Sequence, residues 1–395
     1  MKHKKLKTES EGAAQTGYSI LAHSRSFRRD SSASGGFAEA KRILPLDDLI
    51  KLLSEYQQNK PLRCYILFIL LLFTVLACVP QKDKVYQKSQ IIMDTVVTIT
   101  VVSDSSEKAE TAIDRTFSEV EKLNKLLNFY SSLSEVSEIN KNAGIKSVPV
   151  SPETIEVIEK AIHTAEKTYG AFDITIGPVM TLWDFHKKVL PEDKSIKEKL
   201  SLVNYKGITI DKNRSSVYLQ KKGMLIDLGG IAKGYAADKA VEVMKRNGIQ
   251  AGLVSIAGDI KAFGLKPENK PWKIGIKNPR QKGKNNELIA TIDLTDMAIS
   301  TSGDYERYFI TNGKRYHHIL NPKTGYPAYG CQSVSILAPD GSVTDPLSTG
   351  IFILGTEKGL KLLEELGLDG IIVDKDGKIH TTPRLRGKIE ITRNN

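Results

Sequence analysis

A short apolar run near residue 70 divides this chain and sets where a folded body can begin. Residues 65–77 read YILFILLLFTVLA, carry no charge, and follow the basic residues Lys60 and Arg63. A helix needs about 20 apolar residues to span a bilayer comfortably, so this run is too short. Its length and basic flank favour the apolar core of a signal peptide. The folded body is therefore expected after it.

Cys78 follows this run directly, in the sequence Val75-Leu76-Ala77-Cys78. A small residue just before a cysteine resembles the lipobox of bacterial lipoproteins, where the cysteine becomes the lipidated first residue of the mature protein. The pattern predicts a signal peptide over 61–77, lipidation at Cys78, and anchoring to the cell membrane on its extracytoplasmic (periplasmic) side. Leu76 departs mildly from the commonest pattern. A plain cleaved signal and a short buried helix are the alternatives.

The segments on either side of the run have different predicted roles. Signal peptides normally stand at the start of a chain. Residues 1–60 are therefore interpreted as a disordered extension or a misassigned start, with a cytoplasmic tail before a membrane anchor as the alternative. The polar stretch 79–90 is predicted to be a tether, and residues 91–395 to form the folded domain.

Composition narrows the function classes open to that domain. Hydrophobic residues make up 40% of the chain and charged residues 26%, as in ordinary globular proteins. Of the net charge of +11, residues 1–77 hold +5, from 12 Lys/Arg against 7 Asp/Glu. The remainder shows no basic stripe with interleaved aromatics, so no nucleic-acid partner is predicted. Only Cys331 follows Cys78, which excludes a disulfide framework.

The hydrophobic pattern predicts an α+β fold, a single body with a mixed, largely antiparallel sheet and packed helices. Helical spacing of apolar residues predicts helices over about 105–128, 152–170 and 232–246. Short β-branched or alternating stretches predict strands at 93–102, 216–219, 252–256, 272–277, 288–294, 316–319, 333–337 and 370–373. Helices and strands do not alternate strictly, so a parallel Rossmann sheet is not favoured.

The segment Leu225–Gly234 reads LIDLGGIAKG, a strand that ends in two glycines and opens a helix. Paired glycines let the backbone approach a ligand closely, and a helix N-terminus with a nearby Lys suits a phosphate. The spacing of a Walker A loop is absent. The alternative is a tight strand-to-helix turn without a ligand.

The segment Thr344–Gly350 reads TDPLSTG. Asp345 and Thr349 stand four residues apart, so a helix places them on one face. A carboxylate and a hydroxyl there could serve Mg²⁺, which prefers oxygen ligands and often shares them with phosphates. The alternative is that Asp345 only caps its helix, with Pro346 in the first turn.

Two further segments are polar. Adjacent residues on a strand point to opposite faces, so His317 and His318 are not a zinc pair, and at most one of them faces a ligand. Ser300–Tyr305 is predicted to be a small-residue turn that carries Asp304, with a plain hairpin turn as the alternative. The chain has no HExxH, CxxC, GxSxG or EF-hand motif, which leaves zinc, disulfide-exchange and serine-hydrolase functions without support.

Taken together, seven collinear segments between about 92 and 355 resemble the ApbE family of flavin transferases. No single segment is decisive. They are Met93-Asp94-Thr95, Ala171-Phe172-Asp173 followed by Gly177-Pro178, Asp227–Tyr235, Ala257-Gly258-Asp259, Ser300–Asp304, His317–Gly325 and Thr344–Thr349.

The resemblance implies an α+β fold and an FAD:protein FMN transferase. Such an enzyme binds FAD with Mg²⁺, joins FMN through a phosphoester to a Thr or Ser hydroxyl of an acceptor protein, and releases AMP. The acceptor it suggests is a membrane redox subunit. Two alternatives stay open, a Mg²⁺-dependent hydrolase that gives FMN and AMP, and a non-catalytic flavin-binding lipoprotein.

The resemblance also implies residue roles. The metal ligands are Asp345, Thr349 and the carbonyl of Gly230, and the base is His318 or Asp304. Asn321 and Ala257 stand where many relatives carry Asp and Gly. The flavin and adenosine contacts are Met93, Tyr130, Ala171, Phe172, Asp173, Asp227, Lys233 and Ile319.

Overall fold

The computed structural model describes residues 83–280 and 287–392, and before them Asp47 alone. Apart from Asp47, the predicted extension 1–60, the signal peptide 61–77 and the lipidation site Cys78 lie outside the described residues. The two described ranges belong to one compact unit. Within them, no helix combines the length and apolar character that crossing a bilayer requires.

The strands follow one another along the whole described chain. In chain order they are β1 (Lys84–Ile92), β2 (Thr95–Ser103), β3 (Val148–Pro149), β4 (Ile208–Asp211), β5 (Ser216–Leu219), β6 (Ala251–Ile256), β7 (Asp259–Phe263), β8 (Trp272–Lys277), β9 (Leu288–Leu294), β10 (Met297–Gly303), β11 (Tyr308–Thr311), β12 (Lys314–His317), β13 (Cys331–Ala338), β14 (Asp369–Asp374), β15 (Ile379–Thr381) and β16 (Ile389–Ile391).

Eight of these strands form one antiparallel sheet in the order β1-β2-β6-β7-β10-β13-β14-β15. The others form the sheets β16-β9-β8 and β3-β5-β4 and the hairpin β11-β12. The α-helices are α1 (Ser106–Leu127), α2 (Glu135–Lys141), α3 (Pro152–Lys167), α4 (Gly177–Met180), α5 (Asp193–Leu200), α6 (Ala232–Arg246), α7 (Gly341–Leu354) and α8 (Thr356–Leu366). The predicted α+β class with largely antiparallel sheet is confirmed.

Helix α1 packs on the large sheet because its apolar residues fall on one stripe. Its N-cap Ser105 accepts a hydrogen bond from the Lys108 N–H at 3.3 Å. The stripe meets the inward-facing Val97, Ile99 and Val101 of β2 and the buried face of α6 in the largest core cluster. The buried residues of α1 are Ala109, Ala112, Ile113, Thr116, Phe117, Val120, Leu123 and Leu127.

Helices α6 and α7 cross at two glycines. A side chain of each helix accepts hydrogen bonds from backbone N–H groups in the first turn of the other. A Cβ on Gly234 would lie 2.1 Å from the Gly341 carbonyl oxygen, so this approach requires glycine. Asp238 in α6 accepts from the N–H groups of Gly341 and Ser342, at 2.7 and 2.9 Å. Asp345 in α7 accepts from the Gly234 N–H at 3.0 Å. Neither helix has a side-chain cap of its own, so each supplies the acceptor that the other lacks.

The structure corrects the predicted tether over 79–90. Residues 84–90 lie in β1, which pairs with β2 along its whole length. The stretch is polar because β1 is an edge strand whose side chains are mostly exposed, and exposure removes the apolar alternation that marks a strand.

The structure also differs in detail from three expectations for the polar segments. Ser300 to Gly303 form the end of β10 rather than a turn, with Ser300 bonded to Thr344 of α7. Asp345 does not cap its own helix, because α7 begins four residues earlier at Gly341. Strand β12 ends at His317 and does not continue through Ile319.

Candidate active site

A cleft of about 460 Å³ opens beside the ends of β10 and α7. Its size falls in the usual range for small-molecule sites. Every predicted site residue of the body except Asp304 lines it. The lining includes Met93, Tyr130, Ala171, Phe172, Asp173, Asp227, Gly230, Lys233, His318, Ile319, Asp345 and Thr349.

A tight turn places Met93 in this cleft. Ile92 pairs with Thr95, so Met93 and Asp94 are the two central residues of the β1–β2 hairpin. Both have positive φ, 57° and 55°, as hairpin turns of the type I′ class require. Non-glycine residues adopt this conformation at a cost, and such residues are commonly found at functional sites.

Ala171, Phe172 and Asp173 form the loop after α3. The Asp173 carboxylate accepts from the Thr175 N–H and hydroxyl and from the Tyr205 N–H, at 2.8, 2.6 and 3.0 Å. Burial raises the pKa of this carboxyl. Asp173 therefore holds the loop in place, and Phe172 forms the wall beside Gly230.

A carboxylate pair shares one lysine at the floor of the cleft. Lys233 Nζ lies 2.9 Å from Asp259 Oδ2 and 3.4 Å from Asp345 Oδ2. Burial, then the charge of Asp259, raises the pKa of Asp345 to about 7, because Lys233 alone does not offset two buried carboxylates. Burial alone would lower the pKa of Lys233, but the two carboxylates raise it. The cluster thus has an unmet demand for positive charge.

The remaining predicted metal ligands stand beside this cluster. A Cβ on Gly230 would lie 3.8 Å from Thr349 Oγ1, so the glycine backbone and the hydroxyl are neighbours. Ser302 of β10 bonds to the Thr349 hydroxyl at 3.0 Å and fixes it toward the cleft. Among the described residues, no group of three or more His, Cys, Asp and Glu forms a metal site. A hydroxyl, a carbonyl and one buried carboxylate nevertheless fit Mg²⁺, which takes oxygen ligands and retains water or phosphate.

Asp227 and Tyr130 face the cleft from opposite loops. Asp227 Oδ1 accepts from the Gly229 N–H at 2.8 Å, which shapes the double-glycine turn. Burial raises the pKa of Asp227, with that hydrogen bond and nearby positive charges opposing the shift. Tyr130 is 72% exposed at the rim. An exposed aromatic ring at the rim of a cleft can stack on a flat ligand.

The two adjacent histidines have different surroundings. His317 is buried, and its Nε2–H donates to the Ala328 carbonyl at 2.6 Å while its Nδ1 accepts from the Ile319 N–H at 3.3 Å. This pattern fits a neutral ring, and burial lowers the pKa of His317 to about 4. His318 lines the cleft instead, and its buried Nδ1 has no hydrogen-bond partner.

The electrostatic setting of His318 differs from that of an ordinary histidine. Burial, followed by the charge of Arg307, lowers the pKa of His318 to about 3. The ring is therefore neutral at physiological pH and can accept a proton or a hydrogen bond at Nδ1. Only a change in the charges around it would make it a stronger base.

Asp304 is not part of the cleft, and its proposed role as a base is not supported by its position. Its two carboxylate oxygens accept from the Arg280 guanidinium at 2.6 and 2.5 Å. Arg315 donates to the Asp304 carbonyl at 3.4 Å. A buried carboxylate held by a bidentate arginine anchors the chain after β10.

Four charged residues of the cleft are absent from the predicted site, namely Asp94, Asp259, Glu306 and Arg307. Asp259 follows the tight turn at Ala257, whose φ is +55°, and completes the carboxylate pair. Arg307 lies on the rim between β10 and β11. A signal for Asp259 was present in the segment Ala257-Gly258-Asp259, but its pairing with Asp345 is a tertiary contact that spacing does not reveal.

Comparisons of the sequence with known proteins place the chain in a family. The sequence model of the ApbE family matches residues 93–372. An FAD:protein FMN transferase from Haemophilus influenzae is 35% identical over 305 residues, covering 74% of this chain and 87% of that protein. One from Treponema pallidum is 30% identical over 324 residues, covering 78% of this chain and 89% of that protein.

Solved structures agree with the sequence matches. The ApbE protein from Thermotoga maritima has a TM-score of 0.71 and 35% identity, covering 77% of this chain and 99% of that one. The apo form of the flavinyl transferase ApbE from Pseudomonas stutzeri has a TM-score of 0.69 and 30% identity, covering 78% and 97%. The shared fold and the match over most of the chain lead to one conclusion: this chain belongs to the ApbE family.

Proposed function

We propose that this chain is an FAD:protein FMN transferase that joins FMN to a Thr or Ser hydroxyl of an acceptor protein and releases AMP. The names of its relatives support the flavin chemistry. The observation that carries the proposal is the buried pair Asp345 and Asp259 on one lysine, next to Thr349 and Gly230. A site that only stored flavin would not need a carboxylate cluster that demands further positive charge.

The residues that would hold Mg²⁺ are Asp345, Thr349 and the carbonyl of Gly230. Bound there, Mg²⁺ would neutralise the diphosphate and the departing AMP. Lys233 and Asp259 keep the Asp345 carboxylate in place, since Lys233 contacts both acids. Phosphoryl transfer asks a protein chiefly for such positioning and charge neutralisation.

The bond changes of the proposed reaction balance without a further reactant. The acceptor hydroxyl oxygen attacks the phosphorus of the FMN half, and the bond from that phosphorus to the bridging oxygen breaks. AMP leaves with the bridging oxygen, and the hydroxyl proton goes to a base. His318 is the candidate base, because its Nδ1 is buried in the cleft and has no partner.

One experiment separates the three functions considered. The protein is incubated with FAD, MgCl₂ and a candidate acceptor, a membrane redox subunit, with and without its acceptor threonine changed to alanine. Flavin fluorescence on the denatured parent acceptor, lost with the alanine form, together with one AMP per flavin, is the expected result. AMP with free FMN would indicate a hydrolase, and unchanged FAD a flavin-binding protein; either result would refute the transferase.

We also propose that the mature protein is attached to the extracytoplasmic side of the cell membrane through a lipid on Cys78. The apolar run before Cys78 and its basic flank support this location. The first described strand, β1, begins at Lys84, so only a few residues would separate the lipid from the folded body.

A further inference from the structure

Arg307 and His318 lie next to one another just beyond the end of the β11–β12 hairpin. Tyr308 and His317 are the last paired residues of the hairpin, and the His318 N–H donates to the Arg307 carbonyl at 3.1 Å directly beyond them. Both residues line the cleft.

Arg307 is held by its neighbours through the backbone on both sides. Asp304, three residues before it, is fixed by Arg280, and the Arg315 guanidinium covers the ring of Tyr308 at 3.9 Å from its centre. The turn that presents Arg307 is thus anchored at both ends. Its position beside His318 does not depend on its own side chain.

Among residues 83–280 and 287–392, no side-chain hydrogen bond and no ion pair within 4 Å involves the Arg307 guanidinium, although its charge acts on Asp227. The other cation of the cleft, Lys233, is already engaged by Asp259 and Asp345. Arg307 is close enough to affect the pKa values of His318, Asp227 and Tyr130, so its charge acts inside the cleft. It is the cation there that is available to an anionic ligand.

The other charges of the cleft make such a cation necessary. Its lining includes the carboxyl groups of Asp94, Asp227, Asp259 and Asp345. A ligand phosphate entering this acidic space requires positive charge beyond Lys233. The planar guanidinium offers two parallel N–H donors that match phosphate oxygens, which makes arginine suited to this role.

We propose that Arg307 binds the phosphate on the flavin side of the substrate diphosphate and holds it beside His318. This inference rests on the proposed function for the identity of the ligand. The phosphorus of that phosphate is the atom that the acceptor hydroxyl attacks, and His318 is the candidate base for that hydroxyl. The hydrogen bond between their backbones holds the proposed anion site and the candidate base next to one another in the cleft.

The test compares flavins with and without a phosphate. FMN, FAD and riboflavin are titrated, in the presence of MgCl₂, against the full chain, Arg307→Gln, Arg307→Lys and the control Lys314→Gln. Lys314 lies on the same hairpin outside the cleft. Arg307→Gln should weaken FMN and FAD binding about tenfold to a hundredfold and riboflavin binding less than about twofold. Arg307→Lys should give an intermediate loss, and Lys314→Gln none.

Two outcomes would overturn the inference. Unchanged FMN affinity in Arg307→Gln would mean that the arginine does not bind the phosphate. An equal loss for riboflavin and FMN would mean that it shapes the flavin pocket instead. If the parent chain shows phosphate-dependent flavin binding through Arg307 but labels no acceptor, the inference stands and the transferase proposal fails.

Discussion

At the scale of single residues, the carboxylate pair of Asp345 and Asp259 sets the chemistry of the cleft. Asp345 has two roles. It accepts a hydrogen bond from the Gly234 N–H of helix α6, and it lines the cleft where the proposed metal would bind. Removing the side chain would disturb both. An amide in its place keeps an oxygen acceptor for Gly234 and removes only the charge, which separates the two roles.

Asp345→Asn is therefore expected to lose at least about a hundredfold in FMN transfer while remaining folded. In the absence of divalent cations its melting temperature should equal or exceed that of the parent at pH 8, because burial disfavours the parent's charged carboxylate. Thermal melts with and without MgCl₂ check this. A variant that stays active, or that still gains stability from MgCl₂, would contradict metal binding by Asp345.

The histidine pair gives a second prediction for the rate. His318→Asn should lower FMN transfer by about 10²–10⁴-fold, the usual worth of general-base help, with FAD affinity within a few-fold of the parent. His317→Asn should change the rate far less, because His317 is buried in the core against Phe352. Single-turnover rates and FAD titrations measure both. The reverse pattern would exclude His318 as the base.

The lowered pKa of His317 also predicts how the free energy of unfolding depends on pH. Its folded pKa is lowered to about 4 from an ordinary value of about 6.5, so the unfolded chain binds more protons between these values. The contribution of neutral His317 to the free energy of unfolding is complete above pH 6.5 and is lost as the pH falls. By pH 5 the free energy of unfolding should drop by about 2 kcal/mol from this group.

Urea unfolding of the parent and of His317→Gln at pH 7.5 and pH 5 measures this loss. The variant should start less stable at pH 7.5 and show a pH-dependent loss smaller by about 2 kcal/mol. His318 contributes in the same direction in both proteins, so the difference between them isolates His317. Equal pH slopes would show that His317 is not the source.

At the scale of elements, the crossing of α6 and α7 positions the site. The crossing brings Gly234 against Gly341 and, with them, Lys233 against Asp345. Helix-to-helix contact at the backbone leaves no room for any side chain on either glycine.

Gly234→Ala should consequently lower the free energy of unfolding by about 1–3 kcal/mol or more, because its Cβ would lie 2.1 Å from the Gly341 oxygen. In a helix without this contact the same change would be stabilising. Arg246→Ala, an exposed position of the same helix, is the control and should change stability by less than about 0.5 kcal/mol. Urea unfolding decides, and a neutral Gly234→Ala would refute the close crossing.

Elements with strong internal patterns could be predicted from the sequence. The helices α1, α3 and α6 follow apolar stripes that their own residues define. The edge strand β1 could not, because exposure leaves it polar. The pattern around Asp345 suggests a cap for its own helix. Its carboxylate instead accepts from the Gly234 N–H, 111 residues away, and local sequence does not reveal such a contact. Arg307 could not be predicted because its place beside His318 depends on a backbone contact between two loops that adjoin the β11–β12 hairpin.

At the scale of the whole molecule, attachment to a membrane is independent of the cleft. If Cys78 carries the lipid, Cys78→Ser should move the protein from the membrane fraction to the soluble fraction with its FMN transfer rate unchanged. Fractionation followed by an activity assay in detergent-free solution measures both. A parent protein that is already soluble would contradict lipidation, and the change Cys331→Ser, at a buried cysteine, serves as the control.

The mutual capping of α6 and α7 also determines at which point of synthesis the cleft can be completed. A nascent chain that ends after α6 carries Lys233 without Asp345, and its first helical turn lacks the acceptor that arrives 111 residues later. Asp238 likewise has no Gly341 N–H to accept from until the chain is 103 residues longer. Closing such long loops precedes any gain from the contacts they bring together. The cleft therefore cannot be completed until α7 has been synthesised, because Asp345 and Thr349 both lie on that helix.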